Sequence, residues 1–133
     1  MIETIFKGFY ERYAETPLVA MLEGFWFMQA PQGTTGTYAT FAPVTGRQEY
    51  DMSSRLEDIL IQISIFTEDS EEAEGATLAA RLADWVFVMF DDCSLTLPGG
   101  TLVRIDRQSY NLLADPDGGW MFQIDYQLLV QED

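Results

Sequence analysis

Asp58-Ile59-Leu60-Ile61-Gln62-Ile63-Ser64-Ile65-Phe66-Thr67-Glu68-Asp69-Ser70-Glu71-Glu72 is the stretch on which the fold turns. Ile59, Ile61, Ile63 and Ile65 fall on one side of an extended chain, with Gln62 and Ser64 on the other. That period of two marks a strand with one apolar face. Asp69 then stands three residues before Glu72, the spacing of a capping box, and Glu71 and Glu74 add negative charge in a helix's first turn. Beyond them Leu78, Leu82, Trp85, Val86, Met89 and Phe90 recur at helical spacing. They predict one apolar stripe on a helix of about five or six turns, with Leu82 and Trp85 packed on the sheet. A strand and a helix that each carry one apolar face must cover one another, so this block is expected to form the core of a compact α+β domain.

On the N-terminal side, Ile2, Ile5, Phe6, Phe9, Tyr10 and Tyr13 mark an earlier amphipathic helix. Thr16-Pro17 ends it, because the residue before proline is pushed out of the α region. Leu18 to Leu22 restart a short helical turn before Gly24, and Phe25-Trp26-Phe27-Met28 reads as a short strand. Ala30 to Gly36 is a loop, and Thr37 to Val44 a strand with Tyr38 and Phe41 on opposite faces. The polar stretch Thr45–Arg55 reads as a long hairpin tip or a loop, and connections of that length in compact domains usually carry function or disorder.

On the C-terminal side, Leu97-Pro98-Gly99-Gly100 is a tight turn. Thr101–Arg107 is a strand with Val103 and Ile105 inward. Asp115-Pro116-Asp117-Gly118-Gly119 is a turn in which proline pre-sets φ and glycine accepts a positive one. Trp120, Phe122, Ile124, Tyr126, Leu128 and Val130 then alternate with Gln123, Asp125 and Gln127 in the last strand. The predicted architecture is one α+β domain over residues 1–133, two main helices on a mostly antiparallel sheet in the order α-β-β-β-α-β-β.

Composition bounds the function. A chain of 133 residues, 47% apolar and 14% aromatic, can bury a core without disulfide or metal. No apolar run approaches the ~20 residues of a membrane span, and Met1-Ile2-Glu3 does not begin a signal peptide. The single cysteine, Cys93, excludes an internal disulfide and fits a reducing compartment. Twenty-two acids against 7 basic residues leave a net charge of −15. Phosphate contacts need clustered cations, so nucleic-acid binding is disfavoured.

The residues for chemistry are scarce. The chain has no histidine, and so lacks the commonest general base and metal ligand. Cys93 follows Asp91-Asp92 at a helix end, where the acids and the negative pole raise its pKa; a structural thiol is expected there. Asp91 and Asp92 are adjacent and do not face one another on a helix. Asp115 to Gly118 lacks the ligand spacing and closing glutamate of a calcium loop. Gly99-Gly100 lacks the further glycines and lysine of a phosphate cradle. No catalytic residue, cofactor or metal site is expected, and no enzyme.

Several segments together resemble a known family: Ala30-Pro31-Gln32-Gly33, the strand Thr37-Tyr38-Ala39-Thr40-Phe41, and the polar stretch after it. The strand that runs into Thr67-Glu68-Asp69-Ser70-Glu71-Glu72-Ala73, and a helix bearing Ala76, Ala79, Ala80 and Ala83, complete the likeness. The chain resembles the tail completion or tail terminator proteins of long-tailed bacteriophages, found also in prophages and gene-transfer particles. Thr37 departs from the family, which often has proline before the aromatic residue. The resemblance implies a virion protein, assembled in the bacterial cytoplasm, that closes into a hexameric homo-oligomeric ring at the head-proximal end of the tail. Its implied partners are the tail tube protein and the head–tail connector, with DNA passing through unbound and no membrane involved. Acids around such a lumen would repel phosphates. The residues expected at an assembly interface are Arg47, Gln48, Glu49, Tyr50, Asp51, Met52 and Arg55, in a polar stretch whose backbone needs a partner to become ordered. Two other classes fit the composition: a monomeric acidic DNA mimic, which would display its carboxylates in rows, and a small-molecule binding module built on Trp26, Trp85 and Trp120.

Overall fold

The computed structural model describes residues 1–50, 55–68, 74–115 and 118–133, with the backbone alone for 49 and 50. Helix α1 (Ile2–Ala14) and the one-turn α2 (Leu18–Met21) lead into strands β1 (Phe25–Phe27), β2 (Tyr38–Tyr50) and β3 (Arg55–Thr67). Helix α3 (Glu74–Phe90) and strands β4 (Gly100–Ala114) and β5 (Trp120–Glu132) follow. The strands form one sheet in the order β1-β2-β3-β5-β4. Every pairing is antiparallel except β1 with β2. The architecture is α+β, in the predicted element order with the expected helical turn as α2. The expected capping box from Asp69 to Glu72 lies outside the described residues.

The isoleucine alternation of β3 builds the centre. Ile59, Ile61, Ile63 and Ile65 are all buried, as are Leu128, Tyr126, Ile124 and Phe122 opposite them on β5, and Val130 beyond. Leu82, Val86 and Phe90 of α3 and Ile5, Phe9 and Tyr13 of α1 cover that same face. Trp85, expected in the core, is only partly buried and packs against its margin, on the shoulder of the α3 stripe. Phe9 is the hub of the join, its ring 4.7 Å from Phe90 and 5.4 Å from Phe41. Gly75 lets the start of α3 approach the sheet: a Cβ there would lie 2.6 Å from the Glu68 carbonyl oxygen, so a side chain would push the helix away. Thr67 Oγ1 holds the same point by donating to the Gly75 carbonyl at 2.8 Å.

Two strand readings change in the structure. Strict alternation turns Val103 inward beside Ile105, but Val103 is 50% exposed and only Ile105 is buried. The β4–β5 register slips between Leu102 and Arg104, so a bulge absorbs Val103 and reverses the alternation for that residue. The second change is one of strand length, and of the two readings of Thr45–Arg55, hairpin tip or loop, the hairpin is the one borne out, with 45–50 and 55 in paired strand. The β2–β3 ladder runs out to Tyr50↔Arg55, and β4 likewise continues seven residues past Arg107 to Ala114.

Candidate functional site

Of the expected interface residues, Arg47, Gln48, Glu49 and Tyr50 lie on the outer part of β2 and Arg55 opens β3. Asp51 and Met52 lie outside the described residues. The pairing brings the five together as two arms of one hairpin and ties it to the sheet. Arg47 Nε stands 3.7 Å from Asp58 Oδ2, and Arg55 Nη1 stands 3.5 Å from Glu132 Oε2.

Asp58 also accepts from Gln127 Nε2, at the start of a polar ladder along the sheet face away from the helices. Further along, Asp125 accepts from Gln62 Nε2 and from Ser109 Oγ, each at 3.0 Å. Asp125 is held by neutral amide and hydroxyl donors, and Asp58 by Gln127 together with Arg47, all set among β-strand neighbours as a polar surface. Among the described residues no three Cys, Asp or Glu side chains gather to hold a metal ion.

Cys93 is half-buried, and its thiol pKa is pushed up, first by burial. The Arg12 guanidinium partly opposes that rise, and Asp91 adds the smallest contribution. The direction matches the sequence reading, but the cause is burial before charge. The three tryptophans fall on three elements: Trp26 on the edge strand β1, Trp85 on α3, and Trp120 opening β5 beside Gly75.

A surface that sequence reasoning did not single out lies between α1 and β1. It is an apolar groove of about 780 Å³, with Ile2, Phe6, Tyr10, Phe25, Phe27 and Phe41 among its walls. Glu3, Lys7 and Glu11 stand at its rim, with Lys7 Nζ 3.0 Å from Glu3 Oε1. The signal was present in the helix. Ile5, Phe9 and Tyr13 form one stripe and are buried, whereas Ile2, Phe6 and Tyr10 form a second stripe beside it. One core-facing contact needs only the first, so an apolar arc this wide announces a second surface to cover.

A second exposed apolar patch lies at the other end of the sheet. Tyr110 and Leu112 are exposed on one face of β4, an edge strand, with Leu113 exposed on the other face. The Tyr110 ring stacks on Phe122 at 5.9 Å and neighbours Phe87 at 5.6 Å. Arg107 lies 3.8 Å over the Phe87 ring and 3.6 Å from Asp91, whose other oxygen accepts from the buried Tyr126 hydroxyl at 2.7 Å.

Comparison with known proteins supplies the family. A chain from a solved structure titled "Virion of native gene transfer agent (GTA) particle" superposes with a TM-score of 0.69 at 19% identity, over 95% of this chain and 92% of that one. It shows the same fold. A second solved chain aligns over 100% of this chain and 96% of its own length, with 15% identity and a TM-score of 0.45. No curated protein matches the sequence significantly. The profile of the family described as "Tail completion protein gp17" matches residues 10–131, nearly the whole chain. The chain therefore belongs to the gp17 family of phage tail completion proteins, structural components of phage-type particles.

Proposed function

We propose that this protein closes the head-proximal end of a phage-type tail as a hexameric ring, ending tube growth and joining the tail to the head connector. Membership of the tail completion family over residues 10–131 is the observation that carries the proposal. On this reading residues 1–133 are one tail-completion domain, and the subunit has no catalytic role and needs no cofactor. Its partners are further copies of itself, the tail tube protein and the connector. Arg47, Gln48, Glu49, Tyr50, Asp51, Met52 and Arg55 act at an assembly interface. Two features support the reading. The sheet ends in two different exposed apolar surfaces, which suits head-to-tail contacts between identical subunits. The net charge of −15 suits a lumen that DNA crosses without sticking.

Native mass measurement of the protein, alone and with tail tubes, tests it. A closed oligomer of about six subunits, or one that forms on the tube end, is the expected result. A strict monomer in both conditions would refute the ring.

A further inference from the structure

We propose that the α1–β1 groove of one subunit receives the Tyr110–Leu112 segment of β4 from a second copy, so that the two ends of the sheet meet around the ring. The inference rests on the ring-forming reading above and names the surfaces that close it.

The register of the sheet carries the argument. One row of paired residues runs across all five strands, from Phe27 through Phe41, Ile63 and Ile124 to Tyr110. The next row on the same face runs from Phe25 through Ala39, Ile65 and Phe122 to Leu112. The groove and the β4 patch therefore stand at one height along the strands, at opposite ends of the same rows. A closed ring has rotation without rise. With its axis along the strands, each subunit meets the next at equal height, and Tyr110 and Leu112 come level with Phe27 and Phe25.

Both surfaces need cover. Tyr110 is 62% exposed and Leu112 is 40% exposed, side by side on one face of the outer strand β4, and the charges and bulges that blunt the edge lie at or before Ser109 and leave these two uncovered. Phe27 and Tyr10 are 47% and 48% exposed at the groove. The groove's volume of about 780 Å³ admits a tyrosine and a leucine side chain together.

Charge selects the same pairing. Strand β4 has Arg104 and Arg107 against Asp106, a net charge of +1, and every other described helix or strand is neutral or negative. Residues 1–28, which build the groove, hold Glu3, Glu11, Glu15 and Glu23 against Lys7 and Arg12, a net charge of −2. Arg104 is paired with Asp106 and Arg107 with Asp91, so β4 is the least acidic strand of an acidic molecule and the edge that a negative side of a second copy approaches with least repulsion. A second copy is the partner these features describe.

The test uses Tyr10→Asp in the groove and Leu112→Asp on β4, both at exposed positions. Ile2→Asp and Tyr110→Asp replace either variant that loses its cooperative melt. Sedimentation equilibrium is run on the full chain, at the salt and protein concentrations where the unaltered protein assembles, or on tail tubes if it assembles only there. Each variant alone should be monomeric, its association weakened at least about 100-fold by a carboxylate buried without a partner. An equimolar mixture should give a 1:1 heterodimer and nothing larger, because each mixed pair keeps one intact groove facing one intact β4 edge. Variants that still form rings would overturn the docking and leave the ring reading standing. A mixture that stays monomeric would show that the two surfaces do not meet each other. Intact rings that no longer bind tail tubes would assign the groove to the tube protein and also overturn the proposal. A strict monomer for the unaltered protein would defeat the ring reading itself.

Discussion

Tyr126 shows how one buried residue links the core to the charged surface. Its ring is fully buried under the helices, and its hydroxyl donates to Asp91 Oδ1 at 2.7 Å. Burial first, and then the bond and charge of Asp91, push the phenol well above its ordinary 10.0. Because the folded chain holds this proton more tightly than the unfolded one, the contribution is whole below pH 10 and is lost as pH rises beyond it. Tyr13 is raised from 10.0 by burial first and then by Tyr10, and Cys93 from 9.0 chiefly by burial, so the decline begins near pH 9 and steepens past pH 10. Denaturant titrations between pH 8 and pH 11 should show this fall. Tyr126→Phe should cost about 1.5–3 kcal/mol at neutral pH, the range for a bond to a charged acceptor, and should flatten the decline above pH 10. An unchanged alkaline slope would show that Tyr126 does not govern it. Helical spacing alone makes the core face of α3 readable. Leu82→Ala should therefore cost about 2–5 kcal/mol, whereas Val88→Ala, at a position 69% exposed on the same helix, should stay within about 0.5 kcal/mol in the same denaturant titrations. Val103 is not readable in that way: the bulge that turns it outward is set by the register with β5, and no local pattern at Thr101–Arg107 encodes that slip.

Elements whose two faces differ are legible in the sequence, and elements with two wet faces are not. Strand β5 alternates because one face lies under the helices, and its bounds follow from that. The outer arm of β2 is exposed on both faces over residues 43–48, so Thr45–Arg55 shows no period of two and leaves hairpin tip and loop both open until the pairing to Tyr50↔Arg55 selects the hairpin. Strand β4 beyond Arg107 fails for the same reason, its exposed Gln108-Ser109-Tyr110-Asn111 looking like the end of a strand. The outer hairpin is held by surface ion pairs such as Arg55 with Glu132, and such pairs contribute about 0–1 kcal/mol each. Deleting residues 50–55 and joining the paired Glu49 and Leu56 through a two-residue Asn-Gly turn should therefore leave the monomer's thermal midpoint within a few degrees. If the proposed interface lies there, the same deletion should abolish ring formation in a native mass measurement. A deletion that unfolds the domain would show that the arms belong to the core, and one that leaves rings intact would remove them from the interface.

At the scale of the whole molecule, two electrostatic terms oppose each other during assembly. The proposed contact between β4 and the groove pairs a local +1 with a local −2, an attraction that solvent screens strongly at the surface. Against it stands the mutual repulsion of entire subunits, each carrying −15. The product of the net charges exceeds that of the local ones by about two orders of magnitude, so repulsion governs the salt dependence even after distance reduces it. Raising ionic strength from about 0.01 M to about 0.1 M shortens the Debye length from ~30 Å to ~10 Å, removing most of the long-range repulsion while leaving apolar contact intact. Oligomer mass should therefore rise across that range, and weaker assembly at higher salt would mean that ion pairs and not apolar rows hold the ring. The same charge makes a prediction for DNA. Seven cations spread along the chain, several already paired with acids, release few counterions from a duplex, so the unaltered protein should show no retention of DNA even at 0.01 M salt. Asp58 and Asp125 lie on the sheet face turned away from the helices, and they would line the lumen if the proposed ring turns that face inward. Changing both to lysine should keep the ring, provided the melt is preserved, and should introduce salt-sensitive DNA binding. Tight binding by the unaltered protein would overturn the view that DNA passes this ring without being held.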